Sequence, residues 1–325
     1  MINFRYHVVS LTAVFLALAI GLVVGTTALN GPVADSLRYQ LDALKKDNSN
    51  KRDQVDQYRD QINRSQDFAT QIAPTLLNGK LTGRRIVVVA LPDTTDYTAG
   101  VISMLQIAGA TITAKVTVQD KFFDPNVSTE LLDLASQSSQ GTIPIEGLPL
   151  NSDGVETASA QLALALMQRV SGTQPAADDV TAVLTAYTKA GYISVDEKQA
   201  KAVGGAEGTV IVSGPPAVDQ DAAKKSQSAV TLASQFSKRP GATGTSASAS
   251  RPLVIAGDGV GDGNLISAVR GDPTLVQAIS TVDNASTVQG QVAAGMATVE
   301  RMVQGRVGQY GLAAGASALV PKAAS

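Results

Sequence analysis

The run VVSLTAVFLALAIGLVVGTTAL, residues 8–29, constrains this chain more than any other stretch, because no charged residue falls between Arg5 and Asp35. A charge at the centre of a membrane helix costs about 2.5–3.5 kcal/mol on insertion scales, and this run avoids that cost. Roughly 20 apolar residues are needed to cross the hydrocarbon core. The run is long enough if the polar atoms of Ser10, Thr12, Thr26 and Thr27 bond back to the helix. It reads as a transmembrane helix. Within it Ala13, Ala17, Gly21 and Gly25 recur at every fourth position, and the last pair forms a GxxxG. Small residues let two helix backbones approach closely, which drives association in lipid. The plainer reading is that Ala and Gly are simply common in spans.

The next segment of the chain favours association. Leu37, Leu41, Leu44, Asn48, Lys51, Val55, Tyr58, Ile62, Ser65, Ala69 and Ile72 alternate spacings of four and three. That is a heptad seam, and the positions between are nearly all polar. Asn48 falls at an a position, where a buried amide fixes register and favours a dimer. Lys51 and Ser65 weaken the seam locally. The competing reading is one amphipathic helix lying on its own domain, although such stripes are usually wider than strict a/d. A helix over residues 37–72 would be about 50 Å long. Pro74 is expected to end it, since proline cannot continue the backbone ladder. The expected organisation is an anchor over 1–30, a coiled-coil stalk over 31–75, and an α/β domain over 76–325.

Composition narrows the classes. The 325 residues carry a net charge of −2, one His, no Cys and no Trp. The balance gives no general pull towards nucleic acid, and no basic patch with interleaved aromatics appears, so nucleic acid is not an expected partner. Without Cys there are no disulfides, thiolate metal sites or cysteine nucleophiles. The first segment is longer than the apolar core of a cleaved signal peptide. It is read as a retained signal anchor, with the bulk of the chain translocated and extracytoplasmic. Counting only Lys and Arg argues mildly for the reverse orientation, because Arg38, Lys45 and Lys46 lie after the span and only Arg5 precedes it.

After the stalk, RRIVVVALP at residues 84–92 is a continuous apolar run of the kind buried on both faces of a parallel sheet. Residues 93–96 form a turn with helix-capping chemistry, 97–108 have helical spacing, and 111–118 alternate as a second strand. This is a βαβ unit. Further strands are expected at 192–195, 209–216, 253–259 and 278–282. Helices are expected at 127–135, 155–170, 176–190, 219–236, 264–269 and 289–304. Residues 138–154 read as a long loop and 238–252 as a flexible insertion. The fold class is therefore α/β, a doubly wound, mostly parallel sheet with helices on both faces.

Chemistry is sparse. The loop GDGVGDG, residues 257–263, comes after a strand and precedes a helix, but it misses the G-x-G-x-x-G spacing and has no Walker lysine. Asp258 and Asp262 could hold a hard cation, yet the closing Glu of an EF-hand is absent. His7 sits at the membrane edge, so the usual nucleophile–base pairs are missing and no enzyme is expected. Met104, Met167, Met296 and Met302 read as core filler rather than soft-metal ligands. No cofactor is expected.

Four stretches together resemble one family. They are FRYHVVSLTAVFLALAIGLVVG, the heptad stalk, ISTVD at 279–283 and VGQYG at 307–311. The chain is similar across nearly its whole length to the actinobacterial copper transporter (MctB-like) family. The resemblance implies a role in copper homeostasis or efflux, with copper a transported or sensed ion rather than a cofactor. It also implies an envelope location, given for the mycobacterial member as the outer membrane. A related SteB-like branch implies cell separation. Set against transport, a single helix has no lumen, and an outer-membrane barrel needs many alternating segments of about ten residues. The residues by themselves point to a dimeric membrane-anchored module that recruits an envelope partner.

Overall fold

The computed structural model describes residues 4–30, 32–149, 153–169, 172, 174–196, 205–216, 221–239 and 250–322. By internal contacts the chain divides into two units, Met1–Ser65 and Gln66–Ser325.

The first unit is helical. Helix α1, Phe4–Asn30, has no charged residue in its first or last turn that complements the helix dipole. The hydroxyl of Thr12 donates to the Val8 carbonyl at 2.7 Å, and that of Thr26 to Leu22 at 2.9 Å. These back-bonds satisfy the polar atoms inside an apolar helix. Helix α2, Pro32–Leu77, is amphipathic and laced with local ion pairs such as Lys51 to Asp47 at 2.8 Å. Pro74 does not end it as expected, and the helix runs through to Leu77. Pro74 lacks the N–H that would reach the Thr70 carbonyl, so the turn is carried across it by burial rather than by that bond. Asn78 N–H donates to the Pro74 carbonyl at 2.9 Å, and fully buried Ala73 and Leu77 hold the turn within the second unit.

The second unit is an α/β sheet. Its order of elements is β1 Arg85–Ala90, α3 Thr95–Ile107, β2 Thr111–Val118, α4 Ser128–Gln137, α5 Gly154–Leu166 and α6 Ala177–Lys189. Then come β3 Ile193–Val195, β4 Gly208–Ser213, α7 Ala222–Ser237, β5 Leu253–Gly257, α8 Leu265–Gly271, β6 Ser280–Val282, α9 Val288–Val299 and β7 Gln309–Tyr310. The sheet order is β3-β2-β1-β4-β5-β6-β7, and every pairing is parallel except β2 with β3. Alternation divides its side chains between two cores. Val87, Val89, Ile211 and Ile255 face α4 to α8, while Ile86, Val88, Val210 and Val254 face α3, α9 and the end of α2. Both faces are covered, as a parallel sheet requires.

Several local expectations change. Residues 289–304 are not one α-helix: α9 ends at Val299, a π-helical turn spans Glu300–Gln304, and Gly305 closes it in the left-handed region. Strand β7 has no counterpart among the expected strands. The loop at 138–154 is partly built, with Gln140 bridged to a fully buried Ile143. Residues 240–249 of the expected flexible insertion lie outside the described residues, whereas their flanks pair, Lys238 against Ser250.

The C-terminal edge is fixed by a buried ion pair. Arg270 on α8 and Asp283 after β6 meet at 2.8 Å, with side chains 6% and 1% exposed. Arg270 also donates to the Tyr310 carbonyl at 2.8 Å and the Thr281 hydroxyl at 3.0 Å, and Asp283 accepts from the Leu312 N–H at 2.7 Å. Breaking one half of such a pair leaves a buried charge uncompensated. Arg270→Met should therefore lower unfolding free energy by about 3–5 kcal/mol in chemical denaturation, and the double variant Arg270→Met, Asp283→Leu should recover much of that loss.

Candidate functional site

Two features of the first unit lie open. The Ala13, Ala17, Gly21 and Gly25 stripe runs down α1, and a methyl added at Gly21 or Gly25 would meet nothing within 4 Å. The segment Phe4–Thr26 has a mean hydropathy of 2.6 and none of it is buried, so it is long and apolar enough to cross a membrane. On α2, Leu37, Leu41, Leu44, Val55, Tyr58 and Ile62 are 46–65% exposed, and Asn48 is exposed beside them. Large apolar side chains aligned on one edge of a helix form a surface that water disfavours. Ile72, the last seam residue, is half-buried in the second unit, next to buried Ala69 and Ala73.

In the second unit the sheet order reverses between β1 and β4. Ligands of doubly wound folds settle outside the carboxyl ends of the strands at that point. A cavity of about 380 Å³ opens there, lined by Asp93 and Asp120, by Ser213 and Gly214 at the end of β4, by Lys225 on α7 and by Asn264 at the start of α8. Asp93 is the one non-glycine among the described residues with a positive φ, at 60°. Such a conformation costs of order 1–3 kcal/mol and persists where the surroundings fix it. The expected capping in residues 93–96 takes a different form: the Thr94 hydroxyl turns back to the Leu91 carbonyl at 2.6 Å rather than capping α3.

The wall of the cavity is held by polar contacts. Tyr97 donates to the Ser213 carbonyl at 2.5 Å, and burial first, then the carboxylates of Asp258, Asp93 and Asp96, hold its phenol well above the ordinary range. Asn264 caps α8 by accepting from Ile266 N–H at 2.8 Å, and its amide donates to the Gly214 carbonyl at 3.2 Å. The hydroxyl of Ser213, 2% exposed, has no hydrogen-bond partner among the described residues. The arrangement offers donors, acceptors and apolar walls for a small polar molecule.

The remaining candidates are accounted for structurally. Loop 257–263 is a tight strand-to-helix turn with Gly259 and Gly263 at positive φ. Asp258 accepts from the Ser286 hydroxyl at 2.6 Å. Among the described residues no three His, Cys, Asp or Glu side chains are grouped to hold a metal. Met104 and Met167 are core residues. Sequence reasoning missed Asp120, Ser213, Lys225 and Asn264, which lie on separate segments and are brought together only by the strand order of the sheet.

Span, long helix and covered sheet define a membrane protein carrying an α/β domain. The model of the family described as "Copper transport outer membrane protein, MctB" matches residues 1–321, and the chain belongs to that family. It is 29% identical over 325 residues to the "Copper transporter MctB" of Mycobacterium tuberculosis (strain ATCC 25618 / H37Rv), covering 97% of this chain and 98% of that protein. It is 29% identical over 327 residues to the protein of the same name from Mycobacterium leprae (strain TN), covering 98% and 99%.

The orphaned Ser213 hydroxyl gives a direct check. Ser213→Ala removes a buried unpaired polar atom and should raise unfolding free energy by about 1 kcal/mol in urea titrations. A loss of similar size would mean that the hydroxyl has a partner in solution.

Proposed function

We propose that this chain is a single-pass envelope protein of copper homeostasis or efflux, with its α/β domain on the extracytoplasmic side. The observation that supports it is the family match, which runs through span, long helix and sheet domain together. The outer membrane named in the family description is one placement. The sheet argues for anchoring by α1 alone, because its strands are covered on both faces and it lacks the lipid-facing alternation of a barrel.

The same proposal assigns the chain a homodimer, joined by the seam on α2 and the small-residue stripe on α1. A lone helix has no lumen, so any conducting path must come from several copies or from a partner. In this reading copper is a transported or sensed ion, handled directly or indirectly, and the chain carries no catalysis. The exposed seam supports a second reading, a coiled-coil scaffold that recruits an envelope partner for cell separation.

The test is cell-associated copper in a deletion strain under copper stress, complemented with wild type or with Leu41→Asp, Leu44→Asp. Copper should accumulate on deletion and be restored by the wild type alone. Unchanged copper would discard the copper reading and leave the scaffold. In detergent, sedimentation should show a dimer that the double substitution converts to monomer, and a persistent dimer would remove the seam from the assembly. Gly21→Leu with Gly25→Leu should weaken self-association in a membrane reporter several-fold, since bulk at the stripe holds the backbones apart.

A further inference from the structure

The cavity at the reversal of strand order, between β1 and β4, measures about 380 Å³, within the range of roughly 300–1,000 Å³ that small-molecule sites occupy. It lies outside the carboxyl ends of the strands, where ligands of doubly wound folds settle. We propose that this crevice binds a small organic ammonium, a positively charged amine on a short apolar body. The site goes beyond the copper reading and does not rest on it.

Charge points to a cation. Aspartates follow three strands at this end of the sheet, Asp93 after β1, Asp120 after β2 and Asp258 after β5. Asp93 and Asp120 line the cavity, both are exposed, and neither is in an ion pair among the described residues. The negative field reaches the wall: after burial, the charges of Asp258, Asp93 and Asp96 are what hold the Tyr97 phenol above its ordinary range. An anion is disfavoured, because Asp96 already occupies the first turn of α3, where the helix dipole would otherwise receive one. Lys225 enters the lining from α7, so a cation avoids its like charge by seating at the two aspartates. Residues 217–220, which follow the Pro216 of the lining, bring Asp219 and no basic residue. The ligand is organic rather than a bare metal ion, since Leu91, Phe123 and Leu265 give the cavity apolar cover and no three metal-ligating side chains are grouped among the described residues. Ser213 supplies a neutral contact. Its hydroxyl is buried in the wall and has no partner among the described residues. A buried hydroxyl left unpaired costs free energy, and an ammonium N–H is a donor that its lone pairs can accept.

The experiment uses the full chain in a non-ionic detergent and tracks its thermal midpoint with three probes on one skeleton. These are cyclohexylammonium chloride, cyclohexanol and sodium cyclohexanecarboxylate, at an ionic strength fixed with sodium chloride. The ammonium should raise the midpoint and the other two should not. Asp93→Asn combined with Asp120→Asn should weaken the apparent affinity by roughly tenfold or more, the loss expected when charge-assisted bonds become neutral ones. Asparagine tolerates the positive φ at position 93, and residue 120 is exposed, so this variant keeps the fold. Ser213→Ala should weaken the response several-fold while the midpoint without ligand stays level or rises, a split that loss of structure cannot produce. No shift with the ammonium, an equal shift with the alcohol or the carboxylate, or a shift with calcium chloride in place of the ammonium overturns the proposal. So does an ammonium shift that the aspartate variant leaves intact.

Discussion

The parallel ladder of β1, β4 and β5 is the constraint on which the rest of the second unit depends. Each strand is buried on both faces, so each needs apolar cover above and below. Parallel neighbours cannot be joined by hairpins, so the connections must cross over through helices, which provide that cover. One face is closed by α3, α9 and the last turns of α2. The helix that opens with an exposed seam therefore ends as a piece of domain core. Its Ala69, Ala73 and Leu77 lie four residues apart and share one face of the helix, which turns its end to packing within the unit.

The ion pair of Arg270 and Asp283 explains why two short segments far apart in sequence characterise the chain. ISTVD supplies β6 and the buried carboxylate, and VGQYG supplies β7, which pairs with β6 through Thr281 with Gln309 and Val282 with Tyr310. Arg270 reaches the Tyr310 carbonyl, so strand pairing and ion pair hold the same residues. Gly311 comes next at a φ of 125°, where a side chain would collide with the Asp283 carboxylate. Tyr310 in turn donates to Glu300, which is paired with Arg306 at 2.8 Å. These segments mark a clamp on the last strand rather than a reaction site. Buried charge is tolerated here because every face of it is hydrogen-bonded.

Each element was legible in the sequence to the degree that its signal is encoded locally. IVVVA and TVIVS are continuous apolar runs, so β1 and β4 are readable without neighbours. β7 is two residues long and owes its existence to the partner strand and the ion pair behind it, which no local pattern carries. Pro74 misleads because propensity speaks for an isolated helix, while buried Leu77 speaks for this one. The π-helical turn after Val299 escapes for the same reason. The crevice was invisible because Asp93, Asp120, Ser213 and Asn264 are brought together by strand order alone. Heptad spacing, by contrast, is fully legible, but spacing cannot say whether the partner face belongs to the same chain or another; Ile72 meets its own unit, whereas Leu41 and Leu44 stay exposed.

The two ends of the sheet differ in charge, and this bears on how a copper-related role is fulfilled. The crevice at the carboxyl ends offers Asp93 and Asp120, hard oxygen donors that suit hard cations better than a soft monovalent copper ion. The cleft at the amino ends of β1, β4 and β5 is lined, among the described residues, by Arg84, Arg169, Arg239, Arg251 and Glu207. Among the described lining residues neither holds a cysteine or a histidine, and the amino-end cleft holds one thioether, Met302. Met104 and Met167 are closed into the cores and Met296 and Met302 pack partly buried against one of them, so each of these thioethers serves packing in the described domain.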